Sequence, residues 1–400
     1  MRLVHLSDLH LGYRQYQRLT PTGVNQREWD VASTFRVAVD RVIALRPDVV
    51  LVAGDVFHSS RPSNAAILHA FRQFLRIRTE LPQTHVVMIA GDHDVPRTAE
   101  SGSIMGLFEQ IGIRVAASEA RRFSIPEHDL AILAVPDVPG RVVSLAPDPA
   151  AKHNVLLIHA DVDDVIPRFY AELDRATVRL SRSDLGVTRW SYVALGHYHV
   201  HRRLAENAYY SGSLDYTSLN VWGDKQYEAE YGLNGKGFIE FDLDTGSHTF
   251  QALPASREFL DLPPVKARNM TVAEVDAAIR KTVDRVKGGI DDKVVRLVVR
   301  DIPRQVAREL DHRAIRDYKR RALNFLLDTR KPESAARAAS GAPARRPSVL
   351  EVVREQLRGR EIPADLDRAR LVELGMQYLS DADAFPAADS AMTASGESDG

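Results

Sequence analysis

The chain has 400 residues, with 53 Lys and Arg against 54 Asp and Glu and a formal net charge of −1. This length is enough for two or three domains, and a hydrophobic content of 44% supports a sizeable core. The absence of cysteine excludes disulfides, thiolate metal sites and cysteine nucleophiles. Because the charges nearly balance, any affinity for a polyanion must come from local basic patches.

Short apolar runs that end in Asp or His recur along the chain. Buried strands are predicted at residues 3–6, 49–53, 86–90, 155–158 and 192–195. Each run is followed at once by side chains able to bind metal, namely Asp8 and His10, Asp55, Asp92, His159, and His197 and His199. A lone aspartate after a strand suits a helix N-cap, but histidine is not a preferred N-cap, so capping does not explain the series. We therefore predict a shared metal site beyond the carboxyl ends of these strands.

The segments between these strands predict helices, so residues 1–250 have the alternation of a layered α/β domain. A second helix is predicted at 63–80, and a first one by apolar residues at helical spacing, namely Phe35, Val39, Val42 and Ile43. The polar loop at 12–28 carries Arg14 and Tyr16, and arginines interleaved with aromatics suit contacts with phosphates and bases. A solvated loop is an equally good interpretation.

The segment at 209–250 is strand-like and rich in turns, which predicts that it belongs to the second sheet of a two-sheet sandwich. A domain boundary is predicted near 254–264. Beyond it lies a small α+β unit at 265–328, with three predicted elements: a helix at 272–286, a strand at 294–299 and a helix at 312–327. Basic residues cluster in this unit, which suits a phosphate backbone, although a solvated helix face is an equally good interpretation.

The last seventy residues differ in composition from the rest. A flexible linker is predicted at 331–347, which is rich in Ala, Ser, Gly, Pro and Arg. Ser348 with Glu351 forms a capping box ahead of two short amphipathic helices, and we predict a partner-binding helix pair at 348–380. Residues 381–400 are small, polar and acidic and are predicted to be disordered.

The chain enters a strand almost at once, with no signal peptide, and no apolar run approaches membrane-spanning length. A cytoplasmic protein without a membrane partner is therefore expected. The candidate ligands mix imidazole and carboxylate without sulfur, a donor set that suits Mn²⁺, Fe or Zn²⁺. Two metal ions that clamp a phosphoryl group are the chemistry that this composition best supports.

The motifs occur in the order D-x-H, G-D, G-D-H-D, H and G-H-x-H, and they resemble those of the calcineurin-like metallophosphoesterases. More narrowly, Gly54-Asp-Val-Phe-His-Ser-Ser-Arg-Pro-Ser63 and Ser211-Gly-Ser213 resemble the SbcD family, the nuclease subunits of SbcC–SbcD DNA repair complexes, over about residues 1–330. The fold expected is α/β: a layered two-sheet metallophosphoesterase sandwich flanked by helices, with a small α+β capping domain and a C-terminal helix pair. A nuclease domain is placed at 1–254 and a capping and DNA-binding domain at 265–328.

The resemblance implies a Mn²⁺-dependent DNA nuclease with two divalent metal ions. It implies 3′-to-5′ exonuclease and single-strand endonuclease action in double-strand-break repair, an SbcC-type ABC ATPase with a coiled coil as partner, and a homodimer. By motif position, one metal ion would be held by Asp8, His10, Asp55 and His199, and the other by Asp55, Asp92, His159 and His197.

The resemblance also assigns residues around the metal ions. His93 would position the phosphodiester or protonate the leaving oxygen. Residues that support the site or touch DNA would be His58, Arg61, Arg14 and Tyr16; for His58, a hydrogen bond to a ligand is the better interpretation.

Position 92 departs from the family pattern, because Asp stands there where the family has Asn. This departure favours one alternative function, a catalytically weak DNA-binding scaffold of the same complex. A small-molecule phosphodiesterase on the same fold is the other alternative, and the basic unit and the tail argue against it.

Overall fold

A computed structural model of the chain describes residues 1–95, 102–138, 144–163, 165, 178–233, 235–332 and 367–384. Met1–Lys331 form one compact unit and Pro332–Gly400 form a second one. The predicted linker from 333 onward and the first helix of the predicted pair lie outside the described residues.

In chain order, the strands of the described residues are β1 (Arg2–Leu6), β2 (Val49–Ala53), β3 (His85–Ile89), β4 (Arg114–Ala116), β5 (Arg121–Ile125), β6 (Leu130–Val135), β7 (His153–His159), β8 (Asp161–Val162), β9 (Arg179–Leu180), β10 (Tyr192–Gly196), β11 (Arg202–Ala205), β12 (Ala208–Tyr210), β13 (Gly237–Asp242), β14 (His248–Ala252), β15 (Phe259–Lys266), β16 (Val294–Arg300) and β17 (Asn324–Thr329). The α-helices are α1 (Gln26–Leu45), α2 (Asn64–Glu80), α3 (Arg182–Leu185), α4 (Val221–Glu230), α5 (Val272–Asp284), α6 (Arg304–Arg308), α7 (His312–Arg321) and α8 (Arg368–Ala384). Short 3-10 helices span Ile104–Ile111, Pro126–His128 and Val187–Arg189.

Two six-stranded sheets form the sandwich that the sequence predicts. The strand order is β14-β13-β1-β2-β3-β4 in the first sheet and β11-β12-β10-β7-β6-β5 in the second. Leu51 of β2 shares one buried core between the sheets with Leu157 of β7 and Ala194 of β10. The alternate β2 residues Val50 and Val52 pack into a second core with α1 and α2. Because β2 is buried on both faces, its sequence is a continuous apolar run.

The parallel strands bring the predicted site together. β1, β2 and β3 are parallel neighbours in the first sheet, and β7 and β10 are parallel neighbours in the second. The motifs after these strands therefore come from both sheets of the sandwich.

The assignment of residues 209–250 to the second sheet is wrong for most of this segment. β12 does pair with β10 in the second sheet, but β13 pairs antiparallel with β1 in the first, with Phe241 opposite Leu3. β14 then pairs with β13 at the edge. The local pattern could not decide this, because alternating apolar residues specify a buried face and not the strand that pairs beside it.

A third, parallel sheet of β15, β16 and β17 packs against α5 and α7. The predicted helix at 312–327 is wrong at its end, since α7 stops at Arg321 and β17 begins at Asn324. Phe325 and Leu327 face the same core as the preceding helix, so their apolar character suited either element. The segment at 254–264, where the domain boundary is predicted, contains most of β15, which is one of the two edge strands of this sheet.

The helix that the structure describes in the second unit, α8, continues to Ala384 and so includes residues 381–384 of the predicted disordered tail. Among the described helices, none is both long and apolar enough to cross a membrane.

A histidine is buried between the two main sheets. His5 of β1 is 0% exposed, and its Nδ1 lies 3.1 Å from the hydroxyl oxygen of Tyr192. Burial, with the charge of His201 as a smaller cause, lowers the pKa of His5 from 6.5 to about 3. The folded protein therefore holds His5 neutral at pH values where the unfolded chain protonates it.

We expect the free energy of unfolding to fall in mild acid because of His5. Its contribution is complete above pH 6.5, the unfolded pKa, and is lost progressively as the pH falls towards the folded pKa of about 3. The loss is about 2 kcal/mol at pH 5. Urea unfolding at pH 7 and pH 5 should show a smaller pH dependence in a His5→Asn variant, while His312→Asn, at an exposed histidine, should behave as the wild type. Equal pH dependence in His5→Asn and the wild type would contradict this account.

Candidate metal centre

Four of the candidate ligands lie on loops whose backbone turns sharply at the strand ends, while His159 is the last residue of β7. Positive φ angles occur at Asp8 (52°), His10 (44°), Asp55 (52°) and His197 (110°), a region that non-glycine residues seldom adopt. The loops after β1 and β2 pair through backbone bonds from the amides of Asp8 and His10 to the carbonyls of Gly54 and Asp55, at 3.1 and 2.9 Å. These turns direct the side chains into one space.

Glycines allow the loops to approach each other. Gly54, at φ 89°, ends β2, and a Cβ there would overlap the Nδ1 of His159. A Cβ at Gly91 would overlap the carboxylate of Asp55. Both positions therefore need glycine: Gly54 so that His159 of the second sheet can approach the loop after β2, and Gly91 so that the loop after β3 can approach Asp55.

One cluster consists of Asp8, His10 and His199. The Nε2 atoms of His10 and His199 lie 2.8 Å apart, and His10 Nε2 lies 3.6 Å from Asp55 Oδ2. Two imidazole nitrogens bound to one metal ion lie about 3 Å apart, because each Zn–N bond is about 2.0–2.1 Å. The two ring nitrogens therefore lie close enough together to share one cation.

The second cluster consists of Asp92, His159 and His197. Asp92 Oδ1 lies 3.0 Å from His159 Nε2 and 3.5 Å from His197 Nδ1. Asp55 Oδ2 lies 3.8 Å from His159 Nε2, so Asp55 stands between this cluster and the first. The structure therefore brings all seven predicted ligands together, and Asp55 has the position expected of a bridging ligand.

Hydrogen bonds orient several of these side chains. His159 Nδ1–H donates to the carbonyl of Ala53 at 2.8 Å, which leaves Nε2 available for a metal ion. The backbone N–H of His197 donates to Asp8 at 3.1 Å. Hydrogen bonds of this kind to the side chain of a ligand fix its orientation and, for a histidine, its tautomer.

The electrostatics of the site fit a divalent cation. Burial raises the pKa of Asp55 well above its usual value, against the opposing charge of His159, and burial likewise raises the pKa of Asp8. Burial would also raise the pKa of Asp92, but hydrogen bonds and charge from His159 and His197 hold it below its usual value. Carboxylates gathered in a desolvated space need positive charge to stay ionised, and a divalent cation supplies it.

His93 lies beside the clusters. Its Nδ1–H donates to the carbonyl of His58 at 2.9 Å, and its Nε2 lies 3.8 Å from Asp92 Oδ2. Its backbone N–H donates to Asp55 at 3.1 Å. The ring meets that of His10 edge to face, with centroids 4.8 Å apart, and its side chain is 20% exposed. A partly exposed ring at this position can reach a bound substrate.

His58 lies next to the candidate metal ligand His10. Its Nδ1 lies 3.3 Å from His10 Nδ1, and the two rings form a further group with His93. Its ring also meets the buried Tyr13 edge to face at 4.9 Å. The geometry is compatible with the predicted hydrogen bond to a ligand, which stays a prediction.

The other predicted DNA contacts lie in different environments. Arg61 is exposed, and Arg14 is exposed while paired with Glu28 at 2.6 Å. Tyr16 packs against an apolar cluster that includes Tyr216 and Phe259. This packing favours a structural role for Tyr16 over base stacking.

Two supporting residues were not found by the sequence analysis. Buried Asp94 accepts backbone N–H bonds from Val56, Phe57 and Gly91 at 3.0, 2.9 and 3.1 Å, and burial raises its pKa to about 6. It ties the loop after β2 to the loop after β3. The only sequence signal was its place in the G-D-H-D motif.

The second supporting residue is Lys236. Its Nζ donates to the backbone carbonyl of His199 at 2.6 Å and forms ion pairs with Asp224 and Glu228 at 3.0 and 3.1 Å. Burial alone would lower the pKa of Lys236, but the two carboxylates raise it above its usual value. Nothing in the local sequence signals this role, since the partners come from α4 and from the loop after β10.

Comparison with known proteins agrees with this geometry. Residues 1–201 match the model of the calcineurin-like phosphoesterase family. The chain is similar to proteins named DNA double-strand break repair protein Mre11. That of Methanococcus maripaludis is 27% identical over 67% of this chain and 71% of its own length. That of Methanocaldococcus jannaschii is 28% identical over 61% of this chain and 63% of its own length. That of Sulfolobus acidocaldarius is 27% identical over 51% of this chain and 50% of its own length. The chain thus spans between half and about seven tenths of these relatives.

Proposed function

Since this chain belongs to the calcineurin-like phosphoesterase family, we propose that it is a metal-dependent nuclease that hydrolyses DNA phosphodiesters in double-strand-break repair. The observation that carries the proposal is the pair of Asp and His clusters joined through Asp55. The similarity to relatives named for double-strand-break repair supports DNA as the substrate.

The donor set supports two divalent metal ions. We assign Asp8, His10, Asp55 and His199 to one ion and Asp55, Asp92, His159 and His197 to the other, with Mn²⁺ as the proposed metal. When bound, such a pair polarises the phosphodiester and activates a water molecule for attack. The protein side chains would hold the ions. The bond that His159 Nδ1–H donates to the Ala53 carbonyl and the bond that Asp8 accepts from the His197 N–H keep these two ligands in place.

His93 is the proposed catalytic residue. The bond from its Nδ1–H to the His58 carbonyl fixes the ring, so Nε2 is the atom that can bind the phosphodiester or protonate the leaving oxygen. For this transfer the ring would be an imidazolium: the proton on Nε2 would move to the leaving oxygen and leave a neutral ring, whose Nδ1–H still donates to the His58 carbonyl.

The finer assignments rest on the family resemblance. They are 3′-to-5′ exonuclease and single-strand endonuclease action, a homodimer, a cytoplasmic location and an ABC ATPase partner of the SbcC type. The exposed Arg14 and Arg61 are proposed as phosphate contacts.

A digestion assay tests the proposed function. End-labelled duplex and single-stranded DNA are incubated with the protein and Mn²⁺, with bis(p-nitrophenyl) phosphate as the small phosphodiester. DNA cleavage that requires metal and is lost in Asp55→Asn is the expected result. Metal-dependent hydrolysis of the small diester with no cleavage of either DNA would favour the small-molecule alternative.

The C-terminal segment is the proposed dock for the ATPase. α8 carries exposed apolar side chains, with Leu374 38% and Tyr378 70% exposed, which suits a partner that buries them. Deleting residues 348–400 should abolish ATPase binding while leaving the rest folded, because Met1–Lys331 form a compact unit of their own.

Co-purification with a coiled-coil ATPase of this type measures binding by the full and the truncated chains. Circular dichroism measures whether both chains are folded. Leu374→Asp with Tyr378→Asp should weaken binding in the full chain, whereas Arg370→Gln on the same helix should not. A truncated chain that binds the ATPase as tightly as the full chain would refute the docking role.

A further inference from the structure

A cavity of about 940 Å³ lies between α4 and the third sheet. Its walls come from α4, β15, β16 and the end of α5, and none of the seven candidate metal ligands is among its lining residues. Its volume is at the upper end of the range of about 300–1,000 Å³ that is typical of small-molecule sites. A single inorganic anion would leave most of this space unfilled.

The cavity is strongly basic. Its lining includes one carboxylate, Asp261, against five cationic side chains: Lys225, Arg285, Arg296, Arg300 and Arg330. Arg296 is paired with Asp261 through two bonds of 2.9 and 2.5 Å. In the described part of the chain, no carboxylate forms an ion pair with Arg285 or Arg300. Two guanidinium groups are therefore available for an anion, and guanidinium pairs well with phosphate.

The cavity also offers a flat surface. The half-buried ring of Trp222 lines it, and the guanidinium carbon of Arg296 lies 4.8 Å from the centroid of that ring. Nucleobases stack on aromatic rings and on guanidinium planes. From this combination we propose that the cavity binds a nucleoside phosphate, with the base against Trp222 and Arg296 and the phosphate on Arg285 and Arg300.

The helix that lines the cavity also supports the metal centre. On the inner side of α4, Asp224 and Glu228 hold Lys236, whose Nζ donates to the carbonyl of His199 at 2.6 Å. A ligand whose base lies against Trp222 therefore contacts the helix that positions a candidate metal ligand. This coupling rests on the proposed nuclease function, whereas the binding itself does not.

A base joined to a phosphate can come from two sources: a free nucleotide, or one nucleotide of a DNA strand.

Tryptophan fluorescence titrations in EDTA measure binding without cleavage. The probes are dAMP, a short single-stranded oligodeoxynucleotide and inorganic phosphate. We expect the nucleotide probes to change the emission of the wild type, and this change to be lost in Trp222→Phe, which leaves two of the three tryptophans in place. Binding of dAMP assigns a free nucleotide, and binding of the oligonucleotide alone assigns a DNA strand.

Charge-reversal variants test the phosphate contacts. Arg285→Glu and Arg300→Glu should each weaken binding of the nucleotide at least about tenfold, the effect of losing one charge-assisted bond. Arg300→Lys should lose less affinity for the nucleotide than Arg300→Glu does. Arg36→Glu on α1, at a residue that does not line the cavity, should bind the nucleotide as tightly as the wild type does. Unchanged affinity in both reversal variants would overturn the site. So would the absence of a Trp222-dependent change in emission with both millimolar dAMP and the oligonucleotide.

Recognition of the base has its own control. Inorganic phosphate or poly-glutamate that binds as tightly as the nucleotide probes would show that the cavity recognises charge only, which would overturn the assignment to a nucleoside phosphate. The coupling is measured separately, as a change in DNA cleavage at saturating dAMP that disappears in Arg285→Glu. If dAMP binds and cleavage does not change, the coupling is wrong and the binding site stands; if no cleavage occurs at all, the proposed function fails instead.

Discussion

A His93→Ala variant is expected to lose cleavage activity by about 10²–10⁴-fold in kcat while it keeps both metal ions. The side chain meets His10 and His58 but is not needed to hold Asp55, because the bond to Asp55 comes from the backbone N–H of His93. That bond survives in the alanine variant. The loss therefore falls on the transition state, where the ring positions the phosphodiester or protonates the leaving oxygen.

Single-turnover cleavage measures the loss of activity in the purified variant, and metal analysis measures whether both metal ions remain bound. His93→Asn keeps a donor near the His58 carbonyl but cannot transfer a proton, so it should recover substrate binding in KM and little of kcat. The pH profile of kcat should lose a limb in both variants if the proton is transferred by His93. Loss of one metal equivalent in His93→Ala would instead make His93 a ligand.

An Asp92→Asn variant is expected to bind the second metal ion about 10–100-fold more weakly and to turn over faster at saturating Mn²⁺. With Asp92 the proposed ligands include three carboxylates, and with Asn they include two, so the site of the natural chain is one charge less positive. The carboxylate holds the metal better, and its oxygen already lies 3.0 Å from His159 Nε2. The lower positive charge attracts the phosphodiester less and acidifies the attacking water less.

The charge at position 92 also affects the pH dependence of cleavage. Because the natural chain acidifies the attacking water less, its pH optimum should lie above that of Asp92→Asn. Metal titrations and cleavage rates of both forms, measured across pH, test this, with Asp48→Asn as a control that removes one carboxylate just before β2. If Asp92→Asn cleaves more slowly than the natural chain at saturating Mn²⁺, the carboxylate favours hydrolysis and the expected effect of its charge is wrong. A natural chain with two metal ions and no detectable cleavage would favour the scaffold alternative.

The sequence by itself determined the parts of the molecule that depend on local pattern. The runs at 49–53 and 155–158 predict buried strands, because a strand covered on both faces has apolar residues at every position. Asp and His directly after such runs predict the ligand set, since parallel strands bring their carboxyl ends to one edge. These inferences do not require knowledge of which strands pair or of how far apart the ligand side chains lie.

Tertiary structure decided which surfaces meet. Only the structure shows that the ligands come from two facing sheets, and that β13 lies beside β1 in the first sheet. Asp94 and Lys236 act through backbone groups of other loops, and such partners leave no periodic signal. The local sequence does not determine the end of α7 for a related reason: Phe325 and Leu327 can face the same core from a helix or from a strand. Local apolar spacing specifies which residues are buried, whereas pairing between distant segments specifies what buries them.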